Sequence, residues 1–90
     1  MRDGENIIGR DPDAAVRLDF PSVSRRHARI VVSSEAVTVE DLGSKNGTLL
    51  RNEPIAGKVR VDDLDELQVG SARMILRIMH NGEPTQTIDR

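Results

Sequence analysis

Three short polar segments of this sequence carry residue types that can bind an anion. The first loop (residues 9–12) holds Arg10 beside a glycine, the second loop (residues 22–27) holds serines and arginines, and the third loop (residues 43–48) holds a lysine and an amide. Each segment borders a run of aliphatic and β-branched residues, so we expect all three at strand ends. They predict a binding site built from loops on a rigid scaffold.

The side chains of these loops suit a phosphate group, which presents strong acceptor oxygens and nearly two negative charges near neutral pH. Arg10 can offer a planar fork to two of those oxygens, and Ser24 can donate from its hydroxyl. Arg25 or Lys45 can add a further charge. Each charge-assisted hydrogen bond contributes roughly 1.5–3 kcal/mol, so two or three of them would make binding depend on phosphorylation.

The pair Asn46-Gly47 in the third loop has a different chemistry. Asparagine tolerates the left-handed backbone region and glycine favours it, so the pair predicts a tight turn. The asparagine side chain has both a donor and an acceptor, which suits it to read the main chain of an extended peptide.

The scaffold that positions these loops is predicted to be all-β. Short runs rich in Val, Ile, Leu and Thr are separated by turn residues, and alternation places Met74, Leu76 and Ile78 on one face. Many short strands with frequent turns indicate a two-sheet sandwich or a barrel. The candidate strands are 5–8, 15–18, 28–33, 36–41, 48–50, 66–69 and 73–79.

Composition limits the function classes. Ninety residues make one domain, the net charge of −2 argues against general nucleic-acid binding, and the single aromatic residue, Phe20, provides no base-stacking platform. The chain has no cysteine, so it has neither disulfides nor a thiolate metal site. Without an apolar run of membrane length or a signal-peptide core, we expect no membrane partner and a cytoplasmic location.

Catalysis is not expected. Ser24 and His27 lie three residues apart, but this spacing does not orient a nucleophile and its base, and no third orienting group is evident. His27 and His80 belong to different strand ends and have no ligand cluster, so we predict no metal. The sequence therefore indicates a binding protein that needs no cofactor.

The ordered motifs resemble those of the forkhead-associated (FHA) domain. They are Gly9-Arg10, then Ser24-x-x-His27, then Ser44-x-Asn46-Gly47-Thr48, and the similarity runs from about residue 4 to residue 78. The resemblance implies an FHA/SMAD-like β-sandwich of two sheets that binds a phosphothreonine peptide through loops at one end. It implies no enzyme activity.

The resemblance also implies roles for individual residues. The implied phosphopeptide contacts are Arg10, Ser24, Arg25, Ser44, Lys45 and Asn46, with Arg10 and Ser24 on the phosphate and Asn46 on the peptide main chain. Gly9, His27 and Gly47 would support the site structurally. The implied partner is a protein phosphorylated by an upstream Ser/Thr kinase.

One departure from the family concerns the scaffold. Members of the family normally have another strand before the one at 5–8, and that first strand is missing here. We expect the FHA domain at residues 1–80 and a flexible tail or linker stub at 81–90. Either the tail or a neighbouring molecule could supply that strand. If the gap is unfilled, the 73–79 strand has an open edge, which invites a dimer or strand exchange.

Two alternatives to phosphothreonine recognition stay open at this point. A degenerate FHA domain would bind an unphosphorylated partner, and a structural or oligomerising β-domain would pair through its open sheet edge.

Overall fold

The computed structural model describes residues 3–78 and, as backbone, residues 84–89. These residues form ten strands and no helix. The strands are β1 (Gly4–Gly9), β2 (Val16–Arg17), β3 (Ala28–Val32), β4 (Val37–Asp41), β5 (Thr48–Leu50), β6 (Glu53–Pro54), β7 (Lys58–Val61), β8 (Asp65–Val69), β9 (Ala72–Ile78) and β10 (Pro84–Asp89).

The strands make two sheets of five. The first sheet has the order β2-β1-β3-β4-β7 and the second has the order β10-β9-β8-β5-β6. Every neighbouring pair is antiparallel except β1 and β2, which run parallel. The predicted all-β, two-sheet sandwich is confirmed.

The core lies between the sheets and follows the alternation of the strands. In β3 Ala28, Ile30 and Val32 are buried, and in β9 Met74 and Leu76 are fully buried. Ile78 packs against this core from the end of β9, so the predicted apolar face of that strand is confirmed. The inward residues of both sheets form one apolar cluster, whose burial drives folding.

The sequence did not lead us to expect three of the strands. β6 has only two residues, and in β7 the two valines alternate with charged residues. These strands pair with β5 and β4 respectively. β10 pairs with β9 over six residues, from Pro84 opposite Ile78 to Asp89 opposite Arg73. β10 lies within the stretch 81–90 that we expected to be a flexible tail or linker stub, and residues 81–83 and 90 of that stretch lie outside the described residues.

The pairing of β10 also decides whether the outer edge of β9 is open. The outer edge of β9, which we expected to be open unless the tail or a neighbouring molecule covered it, is hydrogen-bonded to β10 of the same chain. The premise for strand exchange at that edge is thereby removed.

Removal of β10 is predicted to expose the edge of β9. A chain that ends after Glu83 loses six residue pairs of the second sheet and leaves the unpaired main chain of β9 available to another molecule. We expect Tm to fall by about 5 °C or more, as about 1 kcal/mol of lost stability would produce in a small domain, and the shortened chain to self-associate. Thermal unfolding and sedimentation velocity at several concentrations measure both effects.

The matched control is a chain that lacks only Arg90. If the chain ending at Glu83 has the Tm of this control and stays monomeric, β10 contributes nothing to the sheet.

Candidate functional site

The three predicted loops meet at one end of the sandwich. β1 and β3 are antiparallel with Ile8 opposite Ala28, so the first loop leaves β1 where the second loop enters β3. β4 ends at Asp41, which pairs with the same Ala28, so the third loop starts at this end as well. Loops far apart in sequence are thereby brought together by strand register alone.

Main-chain hydrogen bonds join the first loop to the second. The amide of Arg10 donates to the carbonyl of Ser24 at 3.0 Å, and the amide of Asp11 donates to the carbonyl of Arg25 at 3.1 Å. This approach requires glycine at position 9, because a Cβ there would lie 2.0 Å from the carbonyl oxygen of Arg25. The supporting role predicted for Gly9 thus has a steric basis.

The side chain of Arg10 is bound to the described residues through one nitrogen, Nε. Its Nε donates to the carbonyl of Val23 at 2.8 Å, which fixes the plane of the guanidinium. The two Nη groups form no hydrogen bond or ion pair with a described residue, and the side chain is exposed. An arginine anchored in this way presents a pre-oriented fork to a ligand.

His27 is fully buried and links the second loop to the third. Its Nδ1 accepts a hydrogen bond from the amide of Ser24 at 3.0 Å. Since Nδ1 is the acceptor, Nε2 carries the hydrogen and donates it to the carbonyl of Gly47 at 2.7 Å. The histidine contacts the main chain of Ser24 and not its hydroxyl, so these two residues do not form a nucleophile–base pair.

The third loop is organised by Asp41, which sequence reasoning missed. Its carboxylate accepts the amides of Gly43 and Ser44, both at 3.0 Å, and the hydroxyls of Ser44 and Thr48. Burial raises the pKa of this carboxyl, but these hydrogen bonds outweigh burial and bring the pKa below its usual value. An aspartate two residues before a glycine at a strand end is the sequence signal for such a turn.

Ser44 uses its hydroxyl inside the loop. The oxygen accepts the amide of Gly47 at 2.9 Å while the hydrogen goes to Asp41. The resemblance placed Ser44 among the peptide contacts, but its donor is already engaged. Through these bonds Ser44 supports the turn that carries Lys45 and Asn46, and its contact with a peptide stays a prediction.

The second and third loops are also joined at their exposed surfaces. The hydroxyl oxygen of Ser24 accepts the amide of Lys45 at 3.2 Å, which leaves the hydroxyl hydrogen of Ser24 available to a ligand. The side-chain amide of Asn46 donates to the carbonyl of Ser22 at 2.8 Å. Its Oδ1 has no partner in the described part of the chain, so it can still accept a hydrogen bond.

The charges at this end of the molecule are unbalanced. Arg10, Arg25 and Lys45 are exposed, and none forms an ion pair with a residue that the structure describes. The ion pairs that the described residues do form involve other cations. Arg29, for example, pairs with Glu5 and Glu40 on the first sheet. Unpaired cations on fixed loops are suited to an anionic ligand.

Two features are absent from the residues that the structure describes. Within residues 3–78 no three side chains of His, Cys, Asp or Glu lie close enough together to hold a metal ion. His80 falls outside the described residues. The described segments also contain no helix with the length and hydropathy of a membrane span.

Comparison with known proteins identifies relatives of this chain. The family model of the FHA domain matches residues 6–70. FHA domain-containing protein FhaA of Mycobacterium tuberculosis is 38% identical over 78 residues, which are 87% of this chain and 15% of FhaA. Glycogen accumulation regulator GarA of the same species is 40% identical over 67 residues, which are 74% of this chain and 41% of GarA. The chain spans less than half the length of either relative.

Solved structures agree in fold. One from a structural and functional study of phosphothreonine-dependent FHA domain interactions has a TM-score of 0.83 and 40% identity, and the match covers 89% of this chain and 81% of that one. Mycobacterium tuberculosis EmbR in complex with a low-affinity phosphopeptide also has a TM-score of 0.83, with 31% identity, over 87% of this chain and 21% of EmbR.

The lowered pKa of Asp41 predicts acid-sensitive stability. A carboxyl whose folded pKa is below its unfolded value of about 3.9 stabilises the fold fully above that pH, and the contribution is lost as the pH falls through the folded pKa. Asp41→Asn should cost about 1–3 kcal/mol at neutral pH, because donors of the third loop lose their acceptor. Its stability should also change less than that of the wild type between pH 5 and pH 3.

Urea unfolding at several pH values measures both effects, with Asp13→Asn as the control because the Asp13 side chain is exposed. An Asp41→Asn variant with the same pH dependence as this control would contradict the assignment.

Proposed function

The chain belongs to the FHA domain family, and from this premise we propose that it is a phosphothreonine-dependent peptide-binding module. The observation that carries the proposal is the pair of uncommitted donors at the loop end. Arg10 is anchored through Nε with both Nη groups open, and Ser24 accepts from Lys45 with its hydroxyl hydrogen open. Both donors are fixed before a ligand arrives.

The donor set matches a dianion better than a neutral side chain. Two charge-assisted hydrogen bonds from Arg10 and one from Ser24, at roughly 1.5–3 kcal/mol each, would make binding depend on the phosphate. Arg25 and Lys45 add positive charge at the edge of the site. The unphosphorylated hydroxyl would leave these cations unpaired, so the phosphate acts as the switch for binding.

The peptide main chain would be read by Asn46. Its Oδ1 can accept an amide hydrogen of an extended peptide, while its Nδ2 keeps the bond to Ser22. Ser44, whose hydroxyl is engaged by Asp41, would act through the shape of the loop.

The partner class follows from the ligand. We propose that the module recruits proteins phosphorylated on threonine by a Ser/Thr kinase, in keeping with relatives named a regulator and, in Corynebacterium jeikeium, an oxoglutarate dehydrogenase inhibitor. No cofactor or catalytic step is part of this function. The alternatives have less support, because the phosphate donors are intact and β10 already pairs with the edge of β9.

Loss of the arginine fork is predicted to remove phospho-dependent binding. The ligand is a phosphothreonine peptide selected from a randomised phosphothreonine library, and its unphosphorylated and phosphoserine copies complete the set. The wild type should bind the phosphothreonine form most tightly and the unphosphorylated form at least about 100-fold more weakly, the equivalent of two lost charge-assisted bonds. Arg10→Lys, which keeps the charge but lacks the fork, should lose about tenfold or more.

Isothermal titration calorimetry measures these affinities. Arg26→Ala is the matched control, because Arg26 is an equally exposed arginine of the second loop that does not line the cavity beside Arg10 and Arg25. Equal affinity of the wild type for phosphorylated and unphosphorylated peptide would disprove the proposed function.

A further inference from the structure

A cavity of about 450 Å³ extends from the phosphate end of the site toward β2. It is lined by Arg10, Asp11, Pro12, Arg17, Asp19 and Arg25. We propose that Arg17 makes this cavity a subsite for a second anionic group of the bound peptide. The proposal rests on the proposed function, since it concerns the same ligand.

The register of β2 places Arg17 beside the first loop. β2 runs parallel to β1 with Arg17 opposite Gly9, on the side of β1 away from β3. The cavity therefore extends from the second loop, which contributes Arg25, past the first loop to the strand that carries Arg17. A peptide that contacts Ser24 and Asn46 on one side can reach Arg17 on the other.

The main chain around Arg17 is fixed. The neighbouring Val16 and Leu18 are buried, and the amide of Leu18 donates to the carbonyl of Gly9 at 2.8 Å. The Arg17 side chain is exposed, and its Nε lies 3.4 Å from the carbonyl of Arg10, the long limit of a hydrogen bond. Its Nη groups form no hydrogen bond with the residues described. The guanidinium is therefore positioned through Nε, and its Nη groups can bind a ligand.

The charge of the cavity favours an anion. Three arginines and two aspartates line it, a net charge of +1 from +3 and −2. None of these arginines forms an ion pair with a described residue, although arginines elsewhere in the chain do. Asp11 is partly engaged, since one of its carboxylate oxygens accepts the amide of Asp13 at 3.0 Å.

The ligand group is a carboxylate or a second phosphate. The planar carboxylate and the tetrahedral phosphate each present two oxygens that a guanidinium can bind through two parallel hydrogen bonds. The phosphothreonine takes Arg10 and Ser24, with Arg25 and Lys45 beside it, so Arg17 is the arginine of this cavity that is left for an acidic neighbour in the peptide. Asp19 carries the opposing charge, and its removal should strengthen the subsite.

The test uses one phosphothreonine peptide in which each flanking position is, in turn, Ala, Glu or phosphoserine. For wild-type chain we expect at least one position where an acidic residue raises affinity about fivefold over Ala, as for a partly exposed charge pair. The ratio of acidic to Ala peptide should fall to about one in Arg17→Ala and rise in Asp19→Asn. Arg26→Ala should keep the wild-type ratio.

The outcomes separate the subsite from the phosphate site. If the Ala-flanked peptide binds only when phosphorylated but no acidic position raises affinity, or if the gain persists in Arg17→Ala, the subsite is refuted and the proposed function stands. If phosphorylation has no effect on the Ala-flanked peptide, the proposed function fails and the subsite fails with it. Comparison of Glu with phosphoserine shows whether carboxylate or phosphate is the preferred group.

Discussion

The binding end of this molecule depends on one buried imidazole ring. His27 accepts the amide of Ser24 with one nitrogen and donates to the carbonyl of Gly47 with the other. No aliphatic side chain could satisfy both main-chain groups, and leaving either unpaired in a buried setting would cost about 1–3 kcal/mol. The ring therefore fixes the separation of the second and third loops, and with it the positions of Ser24, Lys45 and Asn46.

Hydrogen bonds to main-chain groups also hold the other loops of the site. The first loop is attached to the second through main-chain bonds that only glycine at position 9 permits, and the third loop is closed around the carboxylate of Asp41. These bonds use main-chain groups, Nε of Arg10 and the oxygen of Ser24, and they leave the outward donors open. Preorganisation of this kind reduces the ordering entropy that binding must overcome.

Much of this arrangement could be predicted from the sequence, because its signals are local. Alternation in the segment with Met74 and Leu76 identified a strand, and the order of the three polar loops identified the family and the binding end. Other features depend on long-range pairing and have weak local signals. β10 begins with Pro84 and is mostly polar, so only the edge of β9 makes it a strand. In the sequence nothing distinguishes Arg17 from other charged residues. Only its register opposite Gly9 shows that it lies beside Arg10.

The most direct test of the central role of His27 is the ¹⁵N NMR spectrum of its ring, with and without a phosphothreonine peptide. The hydrogen bonds require the hydrogen on Nε2 and a bare Nδ1, in one tautomer that does not change when the peptide binds. Shifts that report a single Nε2–H tautomer in both states would agree with a loop end built before the ligand arrives. A hydrogen on Nδ1, or an averaged mixture that resolves only on binding, would contradict it.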